Sequence, residues 1–319
     1  MALPASGALR YRPSTVRIFL TGASGFIGRA LCPQLLARGH EVSALVRRAG
    51  SEPPGTYPFA GDLSDGARLA QAVSEARPDC VIHLAAEIAS QRDARRVRAV
   101  NVDGTTRLIG ACLALGDGGA APGPRFVFAS TVVTGDAHGA LLREDAPLPV
   151  ETPYGRSKQE GERLVLDSGL PAVVVRPSHV YGPGGWYAEE LVPRLHQPGR
   201  FAVIGSGKNL WDVVHVQDLV SALILAAESA PEGSIYHVAD DQPVTFGEFM
   251  AFTARTAGVG APRSIPAPIA RLVAGRNAVD AVVRSARSSN AKIKRELGWS
   301  PRFPSFREGV PDALGVSAS

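Results

Sequence analysis

The stretch Val16-Arg17-Ile18-Phe19-Leu20-Thr21-Gly22-Ala23-Ser24-Gly25-Phe26-Ile27-Gly28 decides the fold. Its apolar opening, Val16–Leu20, reads as a buried strand, and an apolar-periodic helix over Phe26–Arg38 follows at once. Between them the glycines fall at 22, 25 and 28, a GxxGxxG spacing rather than the GxGxxG of the commonest dinucleotide fingerprint. Glycine there lets the chain turn sharply and lets backbone approach a pyrophosphate, which free N–H groups at the helix start can bind. A glycine trio alone is a weak signal. Set between a strand and a helix at the head of a βα series, it becomes a strong one. Gly22, Ser24, Gly25, Phe26, Ile27 and Gly28 are therefore candidate dinucleotide contacts.

Outward from this loop, short apolar runs alternate with longer amphipathic ones. The expected strands are Val16–Leu20, Glu41–Val46, Tyr57–Ala60, Cys80–Leu84, Arg125–Ala129 and Ala172–Val175. The expected helices are Phe26–Arg38, Gly66–Ala76, Ala94–Leu115 and Tyr154–Asp167. That alternation predicts an α/β fold, a Rossmann-type doubly wound parallel sheet over residues 16–176. After Arg176 the texture changes to a glycine-rich loop and a short helix near Tyr187–His196. A helix at Gln217–Ala227 and a strand at Ile235–Val238 then return to the sheet, so 211–239 belongs with it. Residues 177–210 and 240–319 are expected to form a smaller, mostly helical substrate lobe, and residues 1–15 a flexible extension.

The second strand should end beside the adenosine ribose, where an acid would favour NAD. It ends instead Leu45-Val46-Arg47-Arg48, and two guanidinium groups suit the extra phosphate of NADP. NADP is the favoured cofactor and NAD the alternative, since two solvated arginines would look the same. Asp62, after the third strand, is placed either to accept from the adenine amino group or to cap the next helix.

Tyr154-Gly155-Arg156-Ser157-Lys158 opens a helix, putting Tyr154 and Lys158 one turn apart on one face. An ammonium near a phenol stabilises the phenolate, so Lys158 is expected to lower the Tyr154 pKa toward working pH. The phenol would then exchange a proton with a substrate oxygen as hydride moves at a nicotinamide. The fifth strand ends Phe128-Ala129-Ser130-Thr131, delivering a hydroxyl to the same place.

Composition excludes other classes. Of 319 residues, 45% are hydrophobic and 20% charged, so the chain buries a substantial core. The net charge of +4 comes from scattered arginines, and the run Arg92, Arg95, Arg96 and Arg98 reads as a solvated helix face. Nucleic acid is not an expected partner. Cys32, Cys80 and Cys112 read as buried reduced thiols. No metal-ligand spacing occurs among the seven histidines. With neither a signal peptide nor a membrane span, a cytoplasmic protein is expected.

These motifs together resemble an extended member of the short-chain dehydrogenase/reductase superfamily, the branch that holds nucleotide-sugar epimerases and dehydratases. The match runs from Val16 to Gly309. It passes through Gly61-Asp62-Leu63, His83-Leu84-Ala85-Ala86, Asn101-Val102 with Gly104-Thr105, and Ser130-Thr131. It continues with Tyr154 and Lys158, Arg176-Pro177, Val180-Tyr181-Gly182-Pro183, and closes on Leu297-Gly298-Trp299 before Pro301. The resemblance implies Tyr154 as acid/base, Lys158 as its modulator and holder of the nicotinamide ribose, and Asn101 as a structural or relay residue. It adds Asp62, Leu63, Leu84, Ala85, Ala86 and Pro177 to the cofactor contacts, and gives His83 a structural role. Counting forward from Phe128 selects Thr131 as the hydroxyl partner, and counting back from Gly135 selects Ser130; Thr131 is preferred. The resemblance also implies a homodimer through the helices after the fourth and fifth strands.

Sugar-nucleotide enzymes of this branch usually carry an arginine where Trp211 stands, before Asp212, to grip the diphosphate; Lys208 or Arg200 would have to compensate. The segment from Gly205 to Asp218 is instead similar to the 3β-hydroxysteroid dehydrogenase group. Gly184-Gly185-Trp186-Tyr187 offers aromatic area for a hydrophobic ring system, or for ordinary packing between lobes. The expected small-molecule substrate is thus a bulky, fairly apolar alcohol or ketone, steroid-, flavonoid- or polyketide-like. The alternative is a nucleotide-sugar epimerase, dehydratase or reductase with bound NAD(P).

Overall fold

The computed structural model describes residues 15–88, 91, 93–116, 123–197, 199 and 201–316. The expected extension, apart from residue 15, lies outside them, as do Arg92 and Arg200.

The strands that position the site are β1 (Arg17–Thr21), β2 (Glu41–Val46), β3 (Tyr57–Ala60), β4 (Cys80–His83), β5 (Arg125–Ala129), β6 (Ala172–Pro177), β7 (His179–Tyr181), β8 (Val213–His215) and β9 (Ser234–Val238). Seven of them form one sheet in the order β9-β6-β5-β4-β1-β2-β3, every pairing parallel. β7 and β8 pair with each other outside it. The chain reverses its direction of travel between β1 and β4, which opens a crevice at their carboxyl ends. There Thr21 pairs in register with His83, so the loops after both strands meet.

Helix α1 (Phe26–Ala37) follows β1, α2 (Gly66–Ala76) follows β3, α3 (Ala94–Arg98) and α4 (Gly104–Leu113) both follow β4, and α5 (Pro153–Leu166) follows β5. On α1 the buried residues Gly28, Leu31, Cys32 and Leu35 form a stripe at helical spacing. Cys80-Val81-Ile82-His83 and Ala172–Pro177 are buried along their whole length, as central parallel strands covered on both faces must be. One core joins Leu31, Leu35, Val173 and Leu223. A second, on the other face, joins Phe19, Leu69, Leu108 and Phe128.

Helix α7 (Val216–Glu228) covers the same sheet face as α1, and α11 (Ala291–Leu297) adds Ile293 to that core. The remaining helices are α6 (Val192–Leu195), α8 (Phe246–Thr256), α9 (Ala267–Ala274), α10 (Arg276–Val283) and α12 (Phe306–Leu314). A third core gathers Tyr181, Tyr187, Trp211, Phe249 and Phe306. Cys32, Cys80 and Cys112 are buried and unbridged, and burial pushes the Cys80 thiol up to about 12. Among the described residues no helix is long and apolar enough to cross a membrane.

Two expectations need correction. The single helix over Ala94–Leu115 is three pieces, because a π-helical turn at Ala99–Asp103 separates α3 from α4. The extra residue lets buried Asn101 reach Glu87, and Gly104 admits the Leu63 side chain, which a Cβ would meet at 2.9 Å. The short helix at Tyr187–His196 likewise begins as a π turn, Trp186–Leu191.

Candidate active site

The loop after β1 has the geometry of an anion cradle. Gly22 sits at φ +75, and a Cβ there would lie 2.8 Å from the Ala85 nitrogen. At Gly28 a Cβ would stand 2.3 Å from the Gly22 carbonyl oxygen. The helix can therefore start tight against the turn only with glycine at both places. Gly25 caps α1 without a side-chain hydrogen bond, and no acid occupies the first turn. Ser24, Phe26 and Ile27 thus lie at a helix start whose N–H groups and dipole suit a phosphate.

Behind the loop runs a hydrogen-bond relay whose direction is fixed. The Thr105 hydroxyl donates to the Asn101 carbonyl at 2.7 Å, so it must accept from His83 Nε2 at 2.9 Å. His83 Nδ1 then accepts from the Thr21 hydroxyl at 2.6 Å, whose oxygen accepts from the Ala85 N–H at 3.2 Å. Burial, then the nearby Lys158, pulls His83 down to about 3, so the ring is neutral. His83 thereby ties the Leu84-Ala85-Ala86 backbone to the loop.

Arg47 and Arg48 follow β2 and are exposed, and neither guanidinium bonds to a described residue. Asp62 accepts from the Ser64 N–H at 2.8 Å, which holds its carboxyl below the usual range. The helix-cap alternative for Asp62 does not hold, because Asp65 caps α2 by accepting from Arg68 at 3.1 Å.

Thr152 caps α5 by accepting from Gly155 at 2.9 Å, with Pro153 at the first position. Along this helix Tyr154, Lys158 and Glu162 share a face. Tyr154 is half-buried, and its hydroxyl bonds to no described residue. Lys158 is buried with its Nζ 4.4 Å above the Phe128 ring centroid. The expected lowering of the Tyr154 pKa is overturned: burial pushes the phenol up to about 12. Burial also draws the Lys158 ammonium down to about 8, against the opposing charge of Glu162. Desolvation of the phenolate prevails where no hydrogen bond joins it to the ammonium.

Ser130 and Thr131 point to different partners. The Ser130 hydroxyl donates to Glu162, which also accepts from Arg176 Nε at 2.9 Å and Nη2 at 2.6 Å. Thr131 Oγ1 donates to the Pro177 carbonyl at 3.2 Å and accepts from the Val133 N–H at 2.9 Å. Asn101 accepts from the Glu87 N–H at 2.7 Å and donates to Ser157 Oγ at 3.0 Å. It therefore links α4's approach to α5. Thr21 and Thr105 stand in the sequence motifs without an assigned role, and Glu162 is absent from them; its signal is the spacing, eight residues after Tyr154 on the same face.

Of the aromatic candidates, Tyr187 is wholly packed, its hydroxyl 3.1 Å from Thr253 Oγ1. Half-buried Trp186 donates to the Val180 carbonyl at 2.7 Å. Trp211 is buried with its ring 3.9 Å from that of His179, stacked. A Cβ on Gly185 would meet the Phe26 ring at 2.5 Å, so this loop closes directly over the start of α1. Lys208 is exposed.

The sequence model of the NAD dependent epimerase/dehydratase family matches residues 18–239. A 3-diazoavenalumate denitrifying reductase from a Streptomyces species is 34% identical over 92% of this chain and 99% of its own. A 3-beta-hydroxysteroid dehydrogenase from Mycolicibacterium neoaurum is 32% identical over 78% of this chain and 71% of its own. Among solved structures, UDP-glucose 4-epimerase from Thermus thermophilus, in complex with NAD, superposes with a TM-score of 0.79. It is 28% identical, covering 94% of this chain and 98% of that one.

Proposed function

Because the chain belongs to the NAD dependent epimerase/dehydratase family, we propose that this NAD(P)-dependent oxidoreductase interconverts a secondary alcohol and a ketone on a bulky, fairly apolar substrate. The observation that carries the reading is Tyr154. Its hydroxyl is free of described partners, stands one turn from buried Lys158, and is kept protonated at neutral pH by burial. A protonated phenol is ready to give its proton to a carbonyl oxygen as hydride arrives. The residues fit a dinucleotide: the start of α1 is uncapped by side chains, and Gly22 and Gly28, where a Cβ would strike backbone, let the turn, the Leu84-Ala85 segment and the helix pack tightly around its exposed N–H groups. Gly22, Ser24, Gly25, Phe26, Ile27 and Gly28 would hold the pyrophosphate, Asp62 and Leu63 the adenine side, and Leu84, Ala85, Ala86, Lys158 and Pro177 the nicotinamide side. When bound, the cofactor supplies hydride. Thr131 orients the substrate oxygen, Tyr154 donates the proton to it, and Asn101 braces α5. Arg47 and Arg48 favour NADP.

Burial of Trp211 under His179 supports a substrate without a diphosphate, since an indole offers no bidentate grip. A second reading keeps the same hydride donor and directs it to a diazo compound. It is favoured by the streptomycete reductase, which matches over 99% of its own length. The homodimer would form through the helices after β4 and β5, α3 with α4 and α5, and the faces of α3 and α5 border a groove of about 230 Å³ between Arg98 and Arg156; sedimentation measures it.

Tryptophan-quenching titration with NADPH and NADH, then with UDP and a steroid ketone, tests the reading. Tighter NADPH binding and a response to the ketone are expected. Arg47→Ala with Arg48→Ala should weaken NADPH about 10- to 100-fold and NADH little. Saturable UDP binding, or Tyr154→Phe with undiminished NADPH oxidation, would sink it.

A further inference from the structure

We propose that Glu162 is a positioning residue of the catalytic helix, its carboxylate locked to Arg176 so that Lys158 stays cationic although buried. The proposal rests on the reading of Tyr154 and Lys158 given above. Residues 154, 158 and 162 recur every four positions, so one face of α5 carries the phenol, the ammonium and the carboxylate in series. Lys158 and Glu162 are 3% and 5% exposed, which removes the water that would otherwise stabilise either charge.

Around Lys158 the other packed elements bring little charge. From β4 comes His83, neutral and committed to Thr21 and Thr105. From β5 comes Phe128, whose ring lies under the ammonium. It is held there by Gly161, where a Cβ would stand 2.7 Å from ring Cζ. The π turn brings Asn101, and the end of β5 brings the uncharged Ser130 and Thr131. From β6 comes Arg176, which donates to both Glu162 oxygens and fixes the carboxylate. Of this pair, Glu162 is the member whose charge bears on Lys158, and it opposes the effect of burial.

Arg176 is fixed in turn. Its Nη1 lies 3.3 Å from His237 Nε2, and the His237 N–H donates to Glu144 at 2.9 Å. Burial, then the neighbouring Arg176, pulls His237 down to about 3, so this ring adds no charge. Glu162 thus cannot swing toward Lys158. It acts on the ammonium as a charge held at fixed distance, and with its oxygens occupied it does not take the proton.

The sign of the effect follows. Lys158 is cationic below its pKa, and any step needing the ammonium fails as pH rises through that value. Removing the Glu162 charge, and leaving Arg176 unpaired beside it, lowers the pKa, so the alkaline loss comes earlier. The test is an NMR titration of the Lys158 ε-carbon in 13C-lysine-labelled full-length protein, assigned with Lys158→Arg. In Glu162→Gln the midpoint should fall by about one to three pH units. Should that variant fail to fold because Arg176 is left bare, Glu162→Gln with Arg176→Met removes the buried pair together and should still lower the midpoint. Glu162→Asp should restore part of it. An unchanged midpoint in the folded variants would overturn the proposal. Lys158→Met with undiminished NADPH oxidation would instead overturn the catalytic reading, while leaving the titration result standing.

Discussion

At the residue scale, two neighbouring hydroxyls at the end of β5 are separated by what they touch. Ser130 is bound to the Glu162 carboxylate, whereas Thr131 holds only backbone groups. Substituting Thr131→Val should therefore reduce turnover more than Ser130→Ala, about tenfold or beyond; steady-state rates of both variants decide the order. A second residue-scale prediction concerns Asp240, which is buried with Oδ2 unpartnered. Burial pushes its carboxyl up to about 9, against about 3.9 in an unfolded chain. The stability it allows is fully present below the unfolded value and is lost as pH rises through the folded one. Asp240→Asn does not titrate, so its melting temperature should exceed the parent's by more at pH 8 than at pH 4. Each kcal/mol is worth roughly 2 °C, and scanning calorimetry at the two pH values reads the difference. In the sequence two counts disagree between Ser130 and Thr131, and only the strand position favours Thr131. Nothing else local distinguishes them, because Glu162 and Arg176 approach from other elements.

At the scale of elements, the sheet's strands were legible because central parallel strands are apolar along their length, and Cys80–His83 and Ala172–Pro177 are buried throughout. The helix over Ala94–Leu115 was legible as helical but not as broken. A π turn keeps helical composition, and its cause, the Glu87 backbone and the Leu63 side chain, lies in other parts of the chain. Asn101→Ala should cost about 1–3 kcal/mol of stability by leaving Glu87 and Ser157 without their partner. It should also lower turnover at saturating cofactor; urea unfolding and rate measurements on one preparation separate the two effects.

At the scale of the molecule, the carboxyl-terminal segment is fastened to α7 by one buried acid. Asp218 accepts from the Arg302 N–H at 2.6 Å and from the Phe303 N–H at 3.1 Å. Trp299 Nε1 donates to the Asp218 carbonyl at 3.1 Å. Asp218→Ala should destabilise the protein by about 1.5–3 kcal/mol for each charge-assisted bond lost, seen as a lower urea midpoint, with NADPH affinity changed less than stability. The amino-acid sequence by itself determined the strand-loop-helix head at Val16–Gly28, the parallel sheet and the Tyr154/Lys158 spacing, since each is written within a few consecutive residues. Tertiary structure alone decided which hydroxyl faces which partner, that the Tyr154 phenol is raised and not lowered, and that Tyr187 and Trp211 serve as core. Those outcomes depend on desolvation and on contacts between elements far apart in the chain, and neither is encoded in local spacing.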